Sequence, residues 1–522
     1  MYKSLVSTMP NSSKDNLFVL VKSLSQSEKR HFKLYVNRLD VNSDAKFMQL
    51  FNILDKLKCY DENQILKVGF VTKMQIANLK SHLYKQILVS LRMNPVNQNT
   101  RINIREQLDF ATILYHKGLY RQSLIILEKT KTIALENEEK NIAYEIVELE
   151  KVIESQFITR SIKSRADDLA IQSKELSAQN LIASKLSNLS LQLYSYMLKS
   201  GYAKNDEEKR RIKSYFDKSM PKFKFENLGF REKLWLYKAN LWHSFLIQDF
   251  LSCYRYAKKW MDLFYENEPM IYANPVWFIK GNSYFLECLY LIKHQSMFEN
   301  YLLKMEKSLE HISFPKNDNV LALDFLCCYS HKINGFFLNG NFAGGLYLVD
   351  DILEKITLHQ NRIDENHVMV LYYKIACLYF GAADNLNCIV FLSKIITNKN
   401  LFVREDLMCF ARILNLIAHY DAGKDEDLSE QVKETYNYLT KMNELHEVQK
   451  EIILFLKNIE TVYPLQLKHA FKSLHKKLKP FENQRFENRV FLYLDIISWL
   501  ESKIENRPIA EIIQEKFKKL VR

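Results

Sequence analysis

The sequence predicts an all-α chain, a helical bundle at the N-terminus followed by an α-solenoid of stacked helical hairpins. Three observations predict it. Glycine and proline are scarce, 11 and 9 among 522 residues, whereas strand-rich folds need them at their many turns. Apolar residues recur at helical spacing. A tight polar turn also returns at regular intervals through the second half of the chain. A chain of this length exceeds one compact core, so several domains or an extended array are required.

The first hundred residues read as a basic bundle, with 15 Lys+Arg against 7 Asp+Glu. Ser25 and Glu28 form an S-x-x-E capping box that opens a helix. Phe32, Tyr35, Val36 and Leu39 then give it one apolar face. Further helices are expected at about 44–59 and 72–92, the second with Ile76, Leu79, Leu83, Ile87, Leu88 and Leu91 on its apolar side. Asn94-Pro95 and the polar run to Thr100 mark a boundary.

From residue 101 to 463 the pattern becomes hairpins. Ile113 to Leu127 places a helix end at Gly118 and a new start at Tyr120. The layout returns with Gln248 and Phe250, with Gly340 and Phe342, more loosely with Ser296 and Phe298, and with Asp384 and Leu386. Each turn is followed by an apolar anchor expected to fold back on the preceding helix. Three residues later comes a position that is often small, Ser123, Cys253 or Gly345, which lets paired helices approach. The turns at 201, 248, 295, 340, 384 and 423 lie 47, 47, 45, 44 and 39 residues apart. The gap from 118 to 201 spans two units and predicts a further turn near 161–164. Two helices and two short loops fit such a period, and each hairpin can bury its apolar side only against its neighbours. The array should hold roughly seven to nine hairpins. Residues 464–522, with 13 Lys+Arg against 7 Asp+Glu, are expected to cap it with basic helices; the middle carries nearly balanced charge.

The Gly-x-aromatic hairpin, carried by Ala111, Gly118, Tyr120 and Leu127 and again by Gly340, Phe342 and Gly345, resembles the tetratricopeptide-repeat (TPR) family. The period is longer than that family's and the closing proline is missing, so the resemblance is to a TPR-like array. It implies a right-handed superhelix and a protein-binding scaffold. Ser23 to Tyr35 together with Leu83 to Arg92 also resembles the opening of a family of uncharacterised, all-helical proteins of similar length from Bacteroidetes-type bacteria. No activity is assigned to that family, so no catalytic residue carries over.

Catalytic signatures are absent. Gly335 and Gly340 have P-loop spacing, but Asn341-Phe342 stands where Lys-Ser/Thr is needed to reach phosphate and Mg²⁺. Cys328 with His331, and Asp364 with His367, are pairs, and a structural zinc needs four ligands. No metal, cofactor or bond-making site is expected. Eight scattered cysteines without a Cys-x-x-Cys pair read as buried, reduced thiols. No apolar run approaches the roughly 20 residues of a membrane span, and the N-terminal segment lacks a signal-peptide core. A cytoplasmic location is the expectation.

Two binding surfaces are candidates. In the TPR-like alignment, Arg105, Tyr115, Trp235, Lys238, Trp242, Asn334 and Lys374 fall on the first helices of their pairs, the face that would line a concave groove. Tryptophan and tyrosine offer rigid contact area, and Asn and Lys offer groups for a peptide backbone or carboxylate. For the Trp235–Trp242 pair, packing between repeats is the favoured of the two readings. The leading expectation is a non-enzymatic adaptor that binds a peptide segment or partner helix. The alternative is a regulator whose Arg30, Lys33, Lys80, Lys85 and Arg92 contact DNA or RNA while the array senses a partner. Solvated helix faces account for those cations as well.

Overall fold

The computed structural model describes residues 15–38, 45–95, 99–157, 164–311, 317–398, 405–423, 428–441, 447–459, 463, 466–484 and 495–520. Every regular element among them is helical and no strand is present. The chain forms two compact units, Met1–Lys163 and Ser164–Arg522. The expected boundary near residue 100 lies within the first.

In the first unit, α1 (Asn16–Ser23), α2 (Gln26–Asn37) and α3 (Lys46–Lys56) pack on α5 (Ile76–Met93), and the short α4 (Glu62–Lys67) lies between α3 and α5 in sequence. The Ser25–Glu28 capping box forms at the start of α2. Phe32 and Val36 point inward, and the Phe32 ring meets Phe51 at 4.8 Å between centroids. Ile76, Leu83 and Ile87 of α5 are buried, but Leu88 is 44% exposed and stands apart from the apolar face to which its spacing had assigned it. Leu39 lies outside the described residues. Then α6 (Thr100–His116), α7 (Tyr120–Glu136) and α8 (Lys140–Gln156) follow. Gly118, at φ +76°, supplies the left-handed turn between α6 and α7, a conformation that costs glycine little. A Lys131–Glu150 ion pair of 2.6 Å, Glu150 fully buried, ties α7 to α8.

The second unit opens with α9 (Arg165–Ser200), one unbroken 36-residue helix where the sequence period had suggested a hairpin. The expected turn near 161–164 falls largely on 158–163, outside the described residues. Next come α10 (Asp206–Ser219), α11 (Phe230–Leu246), α12 (Phe250–Tyr265), α13 (Pro269–Ala273), α14 (Pro275–Leu291) and α15 (Gln295–His311). They are followed by α16 (Asp318–Asn339), α17 (Phe342–Gly345), α18 (Leu348–Leu358), α19 (Glu365–Gly381), α20 (Asn385–Ile396), α21 (Glu405–Asp421) and α22 (Leu428–Lys441). The chain closes with α23 (Glu447–Ile459), α24 (Leu467–Leu478), α25 (Ile496–Glu505) and α26 (Ile509–Leu520).

A packing rule recurs. The second helix of a pair touches its own first helix and the first helix of the next pair: α12 packs on α11 and α14, α15 on α14 and α16, α20 on α19 and α21, α22 on α21 and α23. Successive first helices also touch: α14 and α16, α16 and α19, α19 and α21, α21 and α23. The left-handed residues that turn each pair are Gln248, Lys293, Gly340, Ala383 and Gly423, spaced 45, 47, 43 and 40 residues apart. The loose sequence copies are therefore displaced. The Ser296/Phe298 turn sits at Lys293, and the Asp384/Leu386 turn at Ala383.

With that register, the position three residues into each second helix is occupied by Ser123, Cys253, Phe298, Gly345 and Cys388. The Ser123 hydroxyl donates to the Ala111 carbonyl at 2.8 Å, and the Cys253 thiol donates to the Leu241 carbonyl at 3.9 Å, each twelve residues back across the pair. Gly345 is needed for contact: a Cβ there would meet Leu378 Cδ2 at 2.8 Å. The anchors reach forward as well as back. Tyr120 stacks on Phe157, beyond α8. Phe342 touches Phe337 of its own pair and lies over Gly381 of α19.

Stacking between neighbours alone does not describe the C-terminal end. Trp499 on α25 donates its indole N–H to Asp421 on α21 at 3.0 Å. Gln514 on α26 donates to the Gly340 carbonyl at 3.2 Å, 174 residues away, so α26 returns to the end of α16. No helix among the described residues is long and apolar enough to cross a membrane.

Candidate functional site

The first helices α11, α14, α16 and α19 share a seam, and most of the candidate groove residues lie on it. At the start of α11, Glu232 accepts the N-cap Gly229 N–H at 3.0 Å, satisfying one donor of the helix N-terminus. Pro275, with its φ already helical, starts α14. Along these two helices a motif repeats that the turn spacing does not reveal. Trp235-Leu-Tyr-Lys238-Ala-Asn240-Leu-Trp242 aligns with Trp277-Phe-Ile-Lys280-Gly-Asn282-Ser-Tyr284. Positions i, i+3 and i+7 share a helix face, so each helix presents an aromatic, a lysine and a second aromatic in one register. Asn240 and Asn282 make the same bond, donating to the carbonyls of Leu236 and Phe278 at 2.8 and 2.9 Å. The small residue between, Ala239 or Gly281, lets the previous pair pack closely; a Cβ on Gly281 would sit 2.7 Å from Met261 Sδ.

The two copies face each other. The Trp235 and Trp277 rings meet edge to face at 5.2 Å, and Trp242 meets Tyr284 at 5.4 Å. Trp242, 7% exposed and also packed on Tyr194 and Phe245, is a core residue. Trp235 and Trp277 are half-buried. Lys238 lies 4.6 Å from the Trp235 centroid and 4.0 Å from that of Trp277, with Lys280 at 5.6 Å from the same Trp277 ring. Neither lysine has a carboxylate partner among the described residues. Burial, and then the charge of Lys280, bring the Lys238 amine down to about 7.

Further along the seam the polar groups are bonded to one another. Lys374 Nζ donates to Ser330 Oγ at 2.6 Å, Asn334 Oδ1 at 2.7 Å and the Ser330 carbonyl at 3.2 Å. An ammonium has three protons, so no donor is left for a ligand carboxylate. With its oxygen turned to Lys374, Asn334 gives its Nδ2 protons to Glu287 at 3.3 Å and, over a long 3.5 Å, to His331 Nδ1. On the other side of the ring, His331 Nε2 lies 2.9 Å from Ser283 Oγ. His331 is buried, and desolvation followed by the Lys374 charge lowers it to about 3. The hydrogen bonds joining these helices connect residues 40 to 48 positions apart, close to the repeat period.

The pairs noted in the sequence have other duties. Cys328 donates to Asp324 at 3.1 Å, and Asp364 caps α19 by accepting the His367 N–H at 3.2 Å. No group of three His, Cys, Asp or Glu side chains is placed to hold a metal ion among the described residues. All eight cysteines are free, with Cys59 exposed and the others buried.

Arg105 and Tyr115 belong to α6, in the first unit. Arg105 is exposed and Tyr115 donates its hydroxyl proton to Gln156 at 2.7 Å. Of the five cations offered to nucleic acid, Lys80 is engaged by Asp15 and Glu62, both at 3.0 Å, and Arg92 pairs with Asp109 at 3.1 Å. Lys33 lies 6.0 Å from the Phe51 ring; it, Arg30 and Lys85 are exposed. Comparison with protein-family models, with curated proteins and with solved structures finds no match.

Proposed function

We propose that residues 164–522 form a TPR-like stack of helical hairpins whose first-helix face binds a peptide segment or a partner helix. On this reading the protein is an adaptor with no bond-making chemistry, working in the cytoplasm, where its buried free thiols stay reduced. The observation that carries it is the repeated Trp/Lys register on α11 and α14. Two half-buried indoles, and two lysines set on them with no carboxylate partner among the described residues, leave partly exposed contact groups on this face. The recurring packing of each second helix against two first helices supports the stacked-hairpin part.

A photo-crosslinking amino acid placed at Trp235 in living cells tests this, with the same group at Leu251 on α12, 62% exposed, as the control face. Discrete crosslinked partners from position 235 and none from 251 are expected. Equal capture at both, or none at 235, refutes it. The alternative, nucleic-acid contact through the N-terminal helices, is the weaker reading, because Lys80 and Arg92 are already held by carboxylates.

A further inference from the structure

The partner's chemistry can be read from the same rungs, resting on the peptide-binding proposal above. Four features bear on it. Lys238 and Lys280 occupy equivalent positions of two aligned copies. Both ammonium groups are set against the Trp277 ring. Lys280 acts on Lys238 as a like charge, and no carboxylate raises the Lys238 amine; neither lysine forms an ion pair among the described residues. Lys374, the other lysine on this seam that the sequence had offered for a carboxylate, has all its protons engaged within the fold. A half-buried pair of like charges is costly to hold without a counter-ion, and indole faces repay only part of that cost.

We propose that Lys238 and Lys280 form a paired receptor for carboxylate side chains of an acidic peptide segment, which lies across α11 and α14 with its apolar parts on Trp235 and Trp277. The spacing follows from the fold. Lys238 Nζ and Lys280 Nζ lie 4.0 and 5.6 Å from the same Trp277 centroid, which puts them within about 10 Å of each other, and an extended chain advances about 3.3 Å per residue. Side chains of an extended segment return to the same face at every second residue, about 7 Å along the chain, so two acidic residues two positions apart match the two rungs. A chain of glutamates satisfies this in any register.

Oligoglutamate is the probe, with oligoglutamine of equal length as the uncharged control, added to the full-length protein at low salt. All five tryptophans lie in the second unit, so their emission reports binding there. Saturable binding of oligoglutamate and none of oligoglutamine is expected. Lys238→Met and Lys280→Met keep the apolar stems and should each weaken binding at least about tenfold, the loss of one charge-assisted contact. Lys218→Met changes an exposed lysine on α10 and should change nothing. No oligoglutamate binding, or equal weakening by K218M, overturns the proposal; the second result would mean diffuse attraction by a cationic protein. Circular dichroism confirms that each variant is folded. If crosslinked partners at position 235 persist in the K238M/K280M double variant, peptide binding stands and the acidic-ligand inference fails.

Discussion

Replacing Lys238 with methionine should stabilise the protein while removing the ligand contact. The amine falls from its ordinary 10.5 to about 7 in the folded chain, first through burial and then through Lys280. Every tenfold drop in proton affinity corresponds to about 1.4 kcal/mol, which bounds the cost of holding the charged form at pH 6 at about 4–5 kcal/mol. Indole contacts at 4.6 and 4.0 Å return about 0.5–2 kcal/mol each. A net gain of about 1–3 kcal/mol on removing the charge remains. Methionine keeps the stem that packs between the rings. The pH dependence has a definite sign. Between about 7 and 10.5 the unfolded chain binds the proton that the folded one has released, so wild-type stability rises with pH across that window. The gain in K238M should shrink accordingly by pH 9. Facing groups that could alter this are few: Lys280 on α14 is the charged group that bears on the amine. Urea unfolding followed by tryptophan emission at pH 6 and pH 9 measures it. A K238M variant less stable than wild type at pH 6, or one with an unchanged gain at pH 9, refutes the claim that this lysine is held uncompensated.

Other expectations follow from neighbouring residues. His331, lowered to about 3 by burial and Lys374 and faced by Ser283 of α14, stays neutral in the folded chain while the unfolded chain protonates below 6.5. Stability should fall as pH drops below about 6.5, by about 2 kcal/mol at about pH 5, and His331→Gln should flatten that part of the urea-midpoint profile. Gly381→Ala would drive a methyl into the Phe342 ring; thermal unfolding should show a loss of about 1–3 kcal/mol despite alanine's better helix propensity. Lys374→Met strips the donor from Ser330 and Asn334 and should destabilise by about 2–4 kcal/mol in the same denaturation assay. Oligoglutamate affinity of the K374M variant that remains folded should be unchanged. Wild-type affinity for oligoglutamate should decline above about pH 7, where Lys238 loses its proton unless the ligand is bound.

Much of the fold was legible because helices leave a period in the sequence. The Ser25–Glu28 cap, the Gly118 and Gly340 turns and the tight positions at Ser123, Cys253 and Gly345 all stand where their residue types place them. The slipped copies have a physical cause. Lys293 and Ala383 adopt left-handed φ of +56° and +63° without being glycine, so no breaker residue marks their turns. Placing the turn too late put Phe298 in the anchor role, when it fills the tight position. The Trp-x-x-Lys repeat was present in the sequence, but it becomes visible only when helices rather than turns are aligned. Lys374 was legible as a polar residue on the right face, not as a satisfied one, because its acceptors come from a helix 40 to 44 residues earlier. The return of α26 to Gly340 has no periodic signature at all, since one contact across 174 residues repeats nowhere else among the described residues.

Three lysines show why the Lys238–Lys280 pair points to a ligand. Lys131 is buried and meets the carboxylate of Glu150 at 2.6 Å. Lys374 is held by three oxygen acceptors in a seam that also contains Glu287. In both cases the fold supplies oxygen partners to a desolvated ammonium, although burial still lowers the Lys374 amine below its ordinary value. Lys238 is given only the faces of two indoles and a second cation. A methionine, leucine or alanine on α11 would fill the same space without that cost, and α14 repeats the arrangement instead of correcting it with an acidic residue. A buried lysine set against indoles and a second lysine, beside helices where buried lysines are given oxygen partners, is a pattern expected of a surface shaped for something outside the chain. On this proposal the counter-group is an anion, a carboxylate carried by an extended segment across the half-buried tryptophans.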